Sequence, residues 1–423
     1  MTIHVVRPGE TIFSIASRYG IAPDLLSLTN GIGGQSLVVG QTLVIRYPSR
    51  LLTVRPGDTL YQISRREGIP LRRLWCCNPW LWGSAALYPG QTLIAGYAQQ
   101  PAQTLWVTGY AYPFIREDLL RQTLPFLSAM LPFTYGFTEA GRLLPLGDQV
   151  LVALAKEYGV APWMHLSTLT EGGGFSSALA EALLQNSSAR AALTEELLRT
   201  MLQKGYTGLD VDFEYLPRQN AAPYADFIAQ LRDRLSPYGF PVTVALAPKT
   251  SRDQPGLLYE GHDYALLGAA ADLCLCMTYE WGYQYSAPMA VSPLPSVRRV
   301  LDYAVTEIPR EKLLLGISAY GYDWPLPYRQ GETQATSIGC QFALDLARQK
   351  GAEISYDEAA QAPWFRYTDE TGAHEVWFED ARSIRARLAL ALEYRLGGVG
   401  YWNLMRPFPQ NWQVLDALIA PRQ

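Results

Sequence analysis

One stretch limits the folds open to this chain more than any other. In Gly208-Leu209-Asp210-Val211-Asp212-Phe213-Glu214-Tyr215, acidic and apolar residues alternate with period two. In an extended strand, that spacing puts Asp210, Asp212 and Glu214 on one face and Leu209, Val211 and Phe213 on the other. The apolar face needs a cover of helices. The acidic face then points into the middle of a sheet or barrel, where charge is costly. Carboxylates crowded there cannot all ionise at their free pKa values, so one keeps its proton near neutral pH while a neighbour carries charge. General acid catalysis needs such a pair. Lys204-Gly205-Tyr206 before the stretch and Tyr215-Leu216-Pro217 after it bound a short buried strand.

The surrounding pattern supplies the cover. From residue 103 onward, strand-like and helix-like segments alternate. The expected strands are Leu105–Ala111, Pro132–Phe137, Ala161–Ser167, Thr207–Glu214, Pro241–Ala247, Leu273–Tyr279, Leu313–Ala319 and Gly398–Asn403. Helical segments such as Ala189–Lys204, Pro223–Leu235 and Ala381–Tyr394 lie between them. This is the α/β pattern of a (β/α)8 barrel over residues 103–423, with its chemistry at the carboxyl ends of the strands. An open doubly wound sheet is the competing arrangement, but no Gly-rich phosphate loop follows the first strand. A long segment, about 325–378, separates strands seven and eight and reads as a small α+β insertion at the barrel rim.

The first hundred residues hold a repeat. Val6-Arg7-Pro8-Gly9-Glu10-Thr11-Ile12 returns as Val54-Arg55-Pro56-Gly57-Asp58-Thr59-Leu60, and Gly40-Gln41-Thr42-Leu43 as Gly90-Gln91-Thr92-Leu93. Each unit reads strand, helix, helix, strand, with Thr11 or Thr59 as a helix cap. The units, taken as 1–48 and 49–97, resemble LysM modules, βααβ domains that bind glycans rich in N-acetylglucosamine. The resemblance implies a glycan groove at Gly9, Glu10, Thr11, Asn30 and Gly31, and at Gly57, Asp58, Thr59, Asn78 and Pro79. The same Gly and Thr residues also serve the fold itself. Two modules on one chain would raise avidity for a polymer. Trp75, Trp80 and Trp82 crowd the second unit and either pack between domains or stack on sugars.

Composition excludes several classes. The formal net charge is −4 with no basic block, which argues against a nucleic-acid partner. Cys76, Cys77, Cys274, Cys276 and Cys340 show no metal-ligand spacing, and His4, His165, His262 and His374 are scattered, so neither a metal site nor a disulfide framework is expected. No cofactor is expected. Cys274 and Cys276 alternate with Leu273, Leu275 and Met277, as core residues of a strand do. No apolar run is long enough to span a membrane, and the amino terminus lacks the pattern of a secretion signal.

Strand four resembles the Asp-x-Asp-x-Glu signature of family 18 glycoside hydrolases. Met277-Thr278-Tyr279-Glu280, Ala319-Tyr320-Gly321 with Trp324, and Gly398-Val399-Gly400-Tyr401-Trp402 resemble three further segments of that family. Two positions depart from its pattern: Thr207 and Glu280 stand where the family carries Asp. The paired LysM-like units and the run Trp377-Phe378-Glu379-Asp380-Ala381-Arg382-Ser383 are similar to the spore-peptidoglycan N-acetylglucosaminidases of endospore-forming bacteria. The resemblance implies a retaining hydrolase of peptidoglycan, a spore or cell-wall setting and a monomer. Within it Glu214 is the proton donor, Asp212 and Tyr279 hold the substrate's acetamido group, and Asp210 supports from below. Trp402, Glu280, Tyr110, Tyr320, Trp324 and Met277 are the expected sugar contacts, though Tyr320 and Trp324 could equally form only the groove's walls. A chitinase of the same fold and a non-catalytic lectin are the alternatives. The lectin is disfavoured because Glu214 is present. His165 reads as a hydrogen-bonded core residue.

Overall fold

The computed structural model describes residues 1–81, 86–170 and 173–423. The repeat folds twice in the same way. In the first module, β1 (Thr2–Val5) pairs antiparallel with β2 (Thr42–Ile45) beside helices α1 (Ile12–Tyr19) and α2 (Pro23–Asn30). In the second, β3 (Pro48–Thr53) pairs with β4 (Thr92–Tyr97) beside α3 (Leu60–Glu67) and α4 (Leu71–Cys77). Thr11 caps α1 by accepting from Ser14 N–H, and Thr59 caps α3 by accepting from Gln62 N–H. Such caps contribute about 1 kcal/mol each.

The modules do not hang on flexible tethers. Buried Asp416, on the last helix of the chain, accepts from Arg46 of the first module at 2.7 Å and from Arg73 of the second. Gln410 exchanges hydrogen bonds with Thr42, and Arg72 donates to the carbonyl of Pro125 at 2.7 Å. Trp75 packs at a tilt against Tyr158 of the barrel, ring centres 4.4 Å apart, so it lies between domains; Trp82 lies outside the described residues.

The barrel begins with β5 (Gln103–Ala111), β6 (Ala129–Pro132), β7 (Ala161–Pro162), β8 (Met164–Ser167), β9 (Leu209–Asp212), β10 (Val242–Leu246), β11 (Leu273–Cys276) and β12 (Leu313–Ser318). Its covering helices are α5 (Glu117–Thr123), α6 (Gln149–Glu157), α7 (Ser177–Gln185), α8 (Ser187–Lys204), α9 (Ala221–Leu235), α10 (Leu257–Glu260), α11 (Tyr264–Ala270) and α12 (Leu294–Glu307). The insertion follows as β13 (Tyr320–Leu326), β14 (Thr336–Gly339), α13 (Cys340–Lys350), β15 (Ser355–Asp357), β16 (Ala362–Asp369) and β17 (Gly372–Trp377). Its strands form one antiparallel sheet in the order β14-β13-β17-β16-β15. The chain ends with α14 (Ala381–Glu393), β18 (Gly398–Trp402), α15 (Pro409–Leu418) and β19 (Ile419–Pro421).

The barrel strands pair in parallel in the order β7-β6-β5-β18-β12-β11-β10-β9-β8. β7 and β8 are two halves of one stave broken at Trp163, so the expected (β/α)8 barrel is present. A parallel bridge between Tyr135, just beyond β6, and Leu166 of β8 closes the ring above that break. Inside, Tyr110, Leu131, Phe133, Trp163, Leu275 and Leu314 fill the barrel. Trp163 lies against Gly208, where an added Cβ would sit 2.7 Å from the indole, so only glycine fits there. Outside, Leu209, Val211 and Phe213 are buried under the helices, with Phe213 stacked on Tyr224 at 5.4 Å.

Two expectations need correction. The second strand spans Ala129–Pro132 rather than 132–137, because the buried Ala-Met-Leu run carries the pairing and later residues retain only isolated bridges at Tyr135 and Phe137. The insertion also begins earlier than residue 325. Tyr320–Leu326 leaves the barrel at once and becomes a central strand of the insertion sheet.

Candidate active site

β9 delivers its acids as the alternation requires. Asp210 and Asp212 are buried inside the barrel, and Glu214, two residues beyond the strand, is half-buried at its carboxyl end. Tyr110, on β5 across the barrel, donates to Asp210 at 2.9 Å. In the parallel register, β8 places His165 beside Asp210 and Ser167 beside Asp212. His165 Nε2 lies 3.5 Å from Asp210 and 3.8 Å from Asp212. Its Nδ1 lies 2.6 Å from the Thr134 hydroxyl, which in turn donates to Ser167.

Burial sets the protonation of this ladder. It pushes Asp210 well above the ordinary carboxylate range, and the charge of Asp212 adds to the effect against the opposing hydrogen bond from Tyr110. Burial raises Asp212 to about 7. Glu214 is raised by burial first, then by the charges of Asp212 and Glu280. Burial lowers His165 to about 3, so it stays neutral and does not cancel the acidic charge. Asp210 and Glu214 therefore keep their protons at neutral pH, Asp212 is partly ionised there, and the cluster titrates as a unit. One oxygen each of Asp210 and Asp212 is buried without a hydrogen-bond partner among the described residues, leaving capacity to share a proton or receive a donor.

The other expected residues fall into two groups. Tyr279, just past β11, is half-buried, and its hydroxyl makes no hydrogen bond among the described residues. Gly316 leaves room for its ring: an added Cβ there would sit 2.8 Å from Tyr279. Trp402 ends β18 half-buried, with Phe133 at 4.7 Å, Tyr110 at 5.7 Å and Tyr112 at 6.1 Å around it. Glu280 has a left-handed backbone (φ 67°) and accepts from the hydroxyls of Tyr320 and Tyr322 rather than pairing with an arginine. Solvent reaches its side chain, yet the packing around the carboxyl still raises its proton affinity. Met277 is half-buried nearby, its N–H bonded to the carbonyl of Leu246.

Trp324 does not reach a groove. It is fully buried in the insertion, where its indole N–H donates to the carbonyl of Ser286 at 2.8 Å. Tyr320, also buried, acts through Glu280. Sequence reasoning passed over Tyr322, while His165 is the hydrogen-bonded core residue it was read as. Tyr322 shares the face of Tyr320 by period two, and His165 lies opposite Asp210 once the strands are in register.

Most of the expected module contacts have a role in the modules' own fold. Asn30 is buried with both ends of its amide bonded, to the carbonyls of Leu26 and Val44 and to Val44 N–H. Asn78 does the same with Leu74 and Ile94. Glu10 binds His4, Arg7 N–H and Arg18, while Asp58 binds Arg66 and Arg55 N–H. Thr11 and Thr59 are the caps, and Gly9 and Gly57 turn with φ of 79° and 80°. Gly31 abuts Pro409, and Pro79 lines a cleft beside it. Phe13 and Tyr61, at equivalent positions of α1 and α3, are exposed beside the first turns.

The acid ladder, the tyrosine beside it and the tryptophan under it lie on a barrel whose residues 164–406 match glycosyl hydrolases family 18, while residues 4–46 and 52–96 match the LysM domain. The chain belongs to glycosyl hydrolases family 18. It is a glycoside hydrolase carrying two LysM domains. It is 38% identical to the cortical fragment-lytic enzyme of Bacillus subtilis, over 98% of this chain and 97% of that protein. The crystal structure of the Bacillus cereus spore cortex-lytic enzyme SleL superposes with a TM-score of 0.84 at 35% identity, covering 100% of this chain and 98% of that one. A chitinase from Chromobacterium violaceum is 25% identical with a TM-score of 0.69, covering 74% of this chain and 98% of its own.

Proposed function

We propose that this family 18 enzyme is a retaining β-N-acetylglucosaminidase that cuts spore-cortex peptidoglycan and works in the spore or cell wall. The observation that carries the reading is the coupled ladder Asp210–Asp212–Glu214, in which Glu214 keeps its proton at neutral pH beside a partly ionised Asp212, with the Tyr279 hydroxyl unpartnered among the described residues. Likeness to the cortical fragment-lytic enzyme runs through both LysM modules, whereas likeness to the chitinase covers 74% of the chain; that contrast favours cortex over chitin. Glu214 protonates the glycosidic oxygen. The substrate's acetamido oxygen, not a second carboxylate, attacks the anomeric carbon as the leaving sugar departs, giving an oxazolinium ion. Asp212 accepts from the acetamido N–H, Asp210 shares the ladder's proton below it, and Tyr279 donates to the acetamido oxygen. Glu214, now ionised, takes a proton from water, which opens the ring with retention. Trp402 gives the sugar an apolar floor, and Glu280 faces the neighbouring sugar.

Replacing Glu214 by Gln should lower turnover by about 100-fold or more while leaving glycan binding intact. A glycan with 2-hydroxyl in place of 2-acetamido should not be cut. Cleavage of that glycan at the rate of the acetylated one would remove the substrate-assisted step.

A further inference from the structure

A cleft of about 340 Å³ opens where both LysM modules meet the barrel. Leu28 and Gly33 of the first module, Trp80 of the second, and Phe408 and Pro409 of the barrel supply apolar walls. Gln122 and Gln341 bring two primary amides, neither hydrogen-bonded to another group among the described residues. The charges at its edge, Arg116 and Asp118, are paired with each other at 3.0 Å. Among the described residues the lining thus combines aromatic and proline faces, free amide donors and acceptors, and no uncompensated charge. Those features suit a neutral N-acetylated sugar better than a carboxylate-bearing peptide.

Short chain segments tie the cleft's lining to the carboxyl ends of two barrel strands. Arg116 follows Tyr112 by four residues, and Pro407 follows Trp402 by five. An extended chain of those lengths spans at most about 14 and 18 Å. Phe114, within the first of these segments, is 77% exposed and stacked on Tyr112 at 5.2 Å. Trp402, Tyr112 and Phe114 so form a run of aromatic side chains from the end of β18 to the segment that leads to Arg116 of the cleft. The modules that form its far wall are fixed to the barrel through Asp416.

We propose that this three-domain cleft is an accessory subsite for a neutral N-acetylated sugar of the same glycan strand that is cut in the groove. The proposal rests on the family 18 reading of the carboxylate groove. The test uses the full chain carrying Glu214→Gln, titrated calorimetrically with two-unit and six-unit N-acetylglucosamine oligomers. Adding Gln122→Ala with Gln341→Ala should weaken the six-unit oligomer about tenfold, as the loss of two neutral hydrogen bonds implies, and leave the two-unit oligomer unchanged. Leu28→Arg, at an exposed position, should do the same by putting bulk and charge into the cleft, and Phe114→Ala should weaken only the longer oligomer. Unfolding midpoints like the parent's show that the variants fold. If the parent binds both oligomers and the cleft variants bind the six-unit oligomer as the parent does, the subsite is wrong and the groove reading stands. If the parent binds neither oligomer, both fall. Cleft-dependent binding of a stem peptide but not of the six-unit oligomer also overturns the proposal.

Discussion

Replacing Asp212 by Asn should move the alkaline limb of the pH–rate profile to lower pH. Glu214 must carry a proton to act as an acid, and its proton is held by burial and by the charge of Asp212. Asp212 itself titrates at about 7, so it is anionic where the alkaline limb falls. Two residues along a strand set the carboxyls about 7 Å apart. At an effective dielectric of about 20 their repulsion is about 2.4 kcal/mol. That corresponds to about 1.7 pH units. The sign follows from the raised pKa: removing the neighbouring anion lets Glu214 ionise sooner, so activity is lost at lower pH. The assay is kcat/KM against pH on a glycan with an ordinary sugar leaving group, using the residual rate of the variant. A limb that stays in place would mean that burial alone holds the proton, and a limb that moves upward would refute the electrostatic argument.

Glu280→Gln should shift the same limb downward by less than Asp212→Asn does, since its charge contributes less to Glu214; equal or larger shifts in the profile would reverse that ranking. Asp210→Asn should raise stability at alkaline pH. A carboxyl raised in the folded state costs stability as pH climbs above its unfolded value, so the gain should vanish near about pH 4, as thermal unfolding at several pH values would reveal. Asp416→Ala leaves Arg46 and Arg73 without their buried partner and should cost about 3–5 kcal/mol of module docking; limited proteolysis of the 98–103 segment should then speed up, and unchanged cleavage would contradict the docking role. Asn78→Ala should destabilise the second module by about 1–3 kcal/mol in denaturant unfolding, because it strands backbone groups of Leu74 and Ile94; loss of glycan affinity at unchanged stability would restore Asn78 as a ligand.

The barrel and its acids were legible because both rest on short-range rules. Alternation along Leu209–Glu214 fixes which face each side chain takes, and the spacing of apolar runs fixes the order of strands and helices. Pro132 shows where such reading fails: the run through Phe137 looked like one strand, yet pairing is carried by Ala129–Pro132. Trp324 looked like a groove residue because it follows strand seven closely, but β13 turns it into the insertion's core. The module residues stayed ambiguous for another reason. Asn30, Asn78, Glu10 and Asp58 are polar groups at turns, and sequence alone cannot tell a ligand from a clamp on the backbone. The docking of the modules was invisible, since Arg46 and Asp416 meet across 370 positions with no local pattern to announce it.

The most direct test of the central claim is the mass of the new reducing-end sugar after purified spore cortex is digested with the full chain, beside vegetative sacculi and chitin. The account predicts N-acetylglucosamine at that end, formed from cortex faster than from chitin and not formed by the Glu214→Gln chain. N-acetylmuramic acid at the new end would contradict it, because the bond cut would then follow the other sugar of the strand.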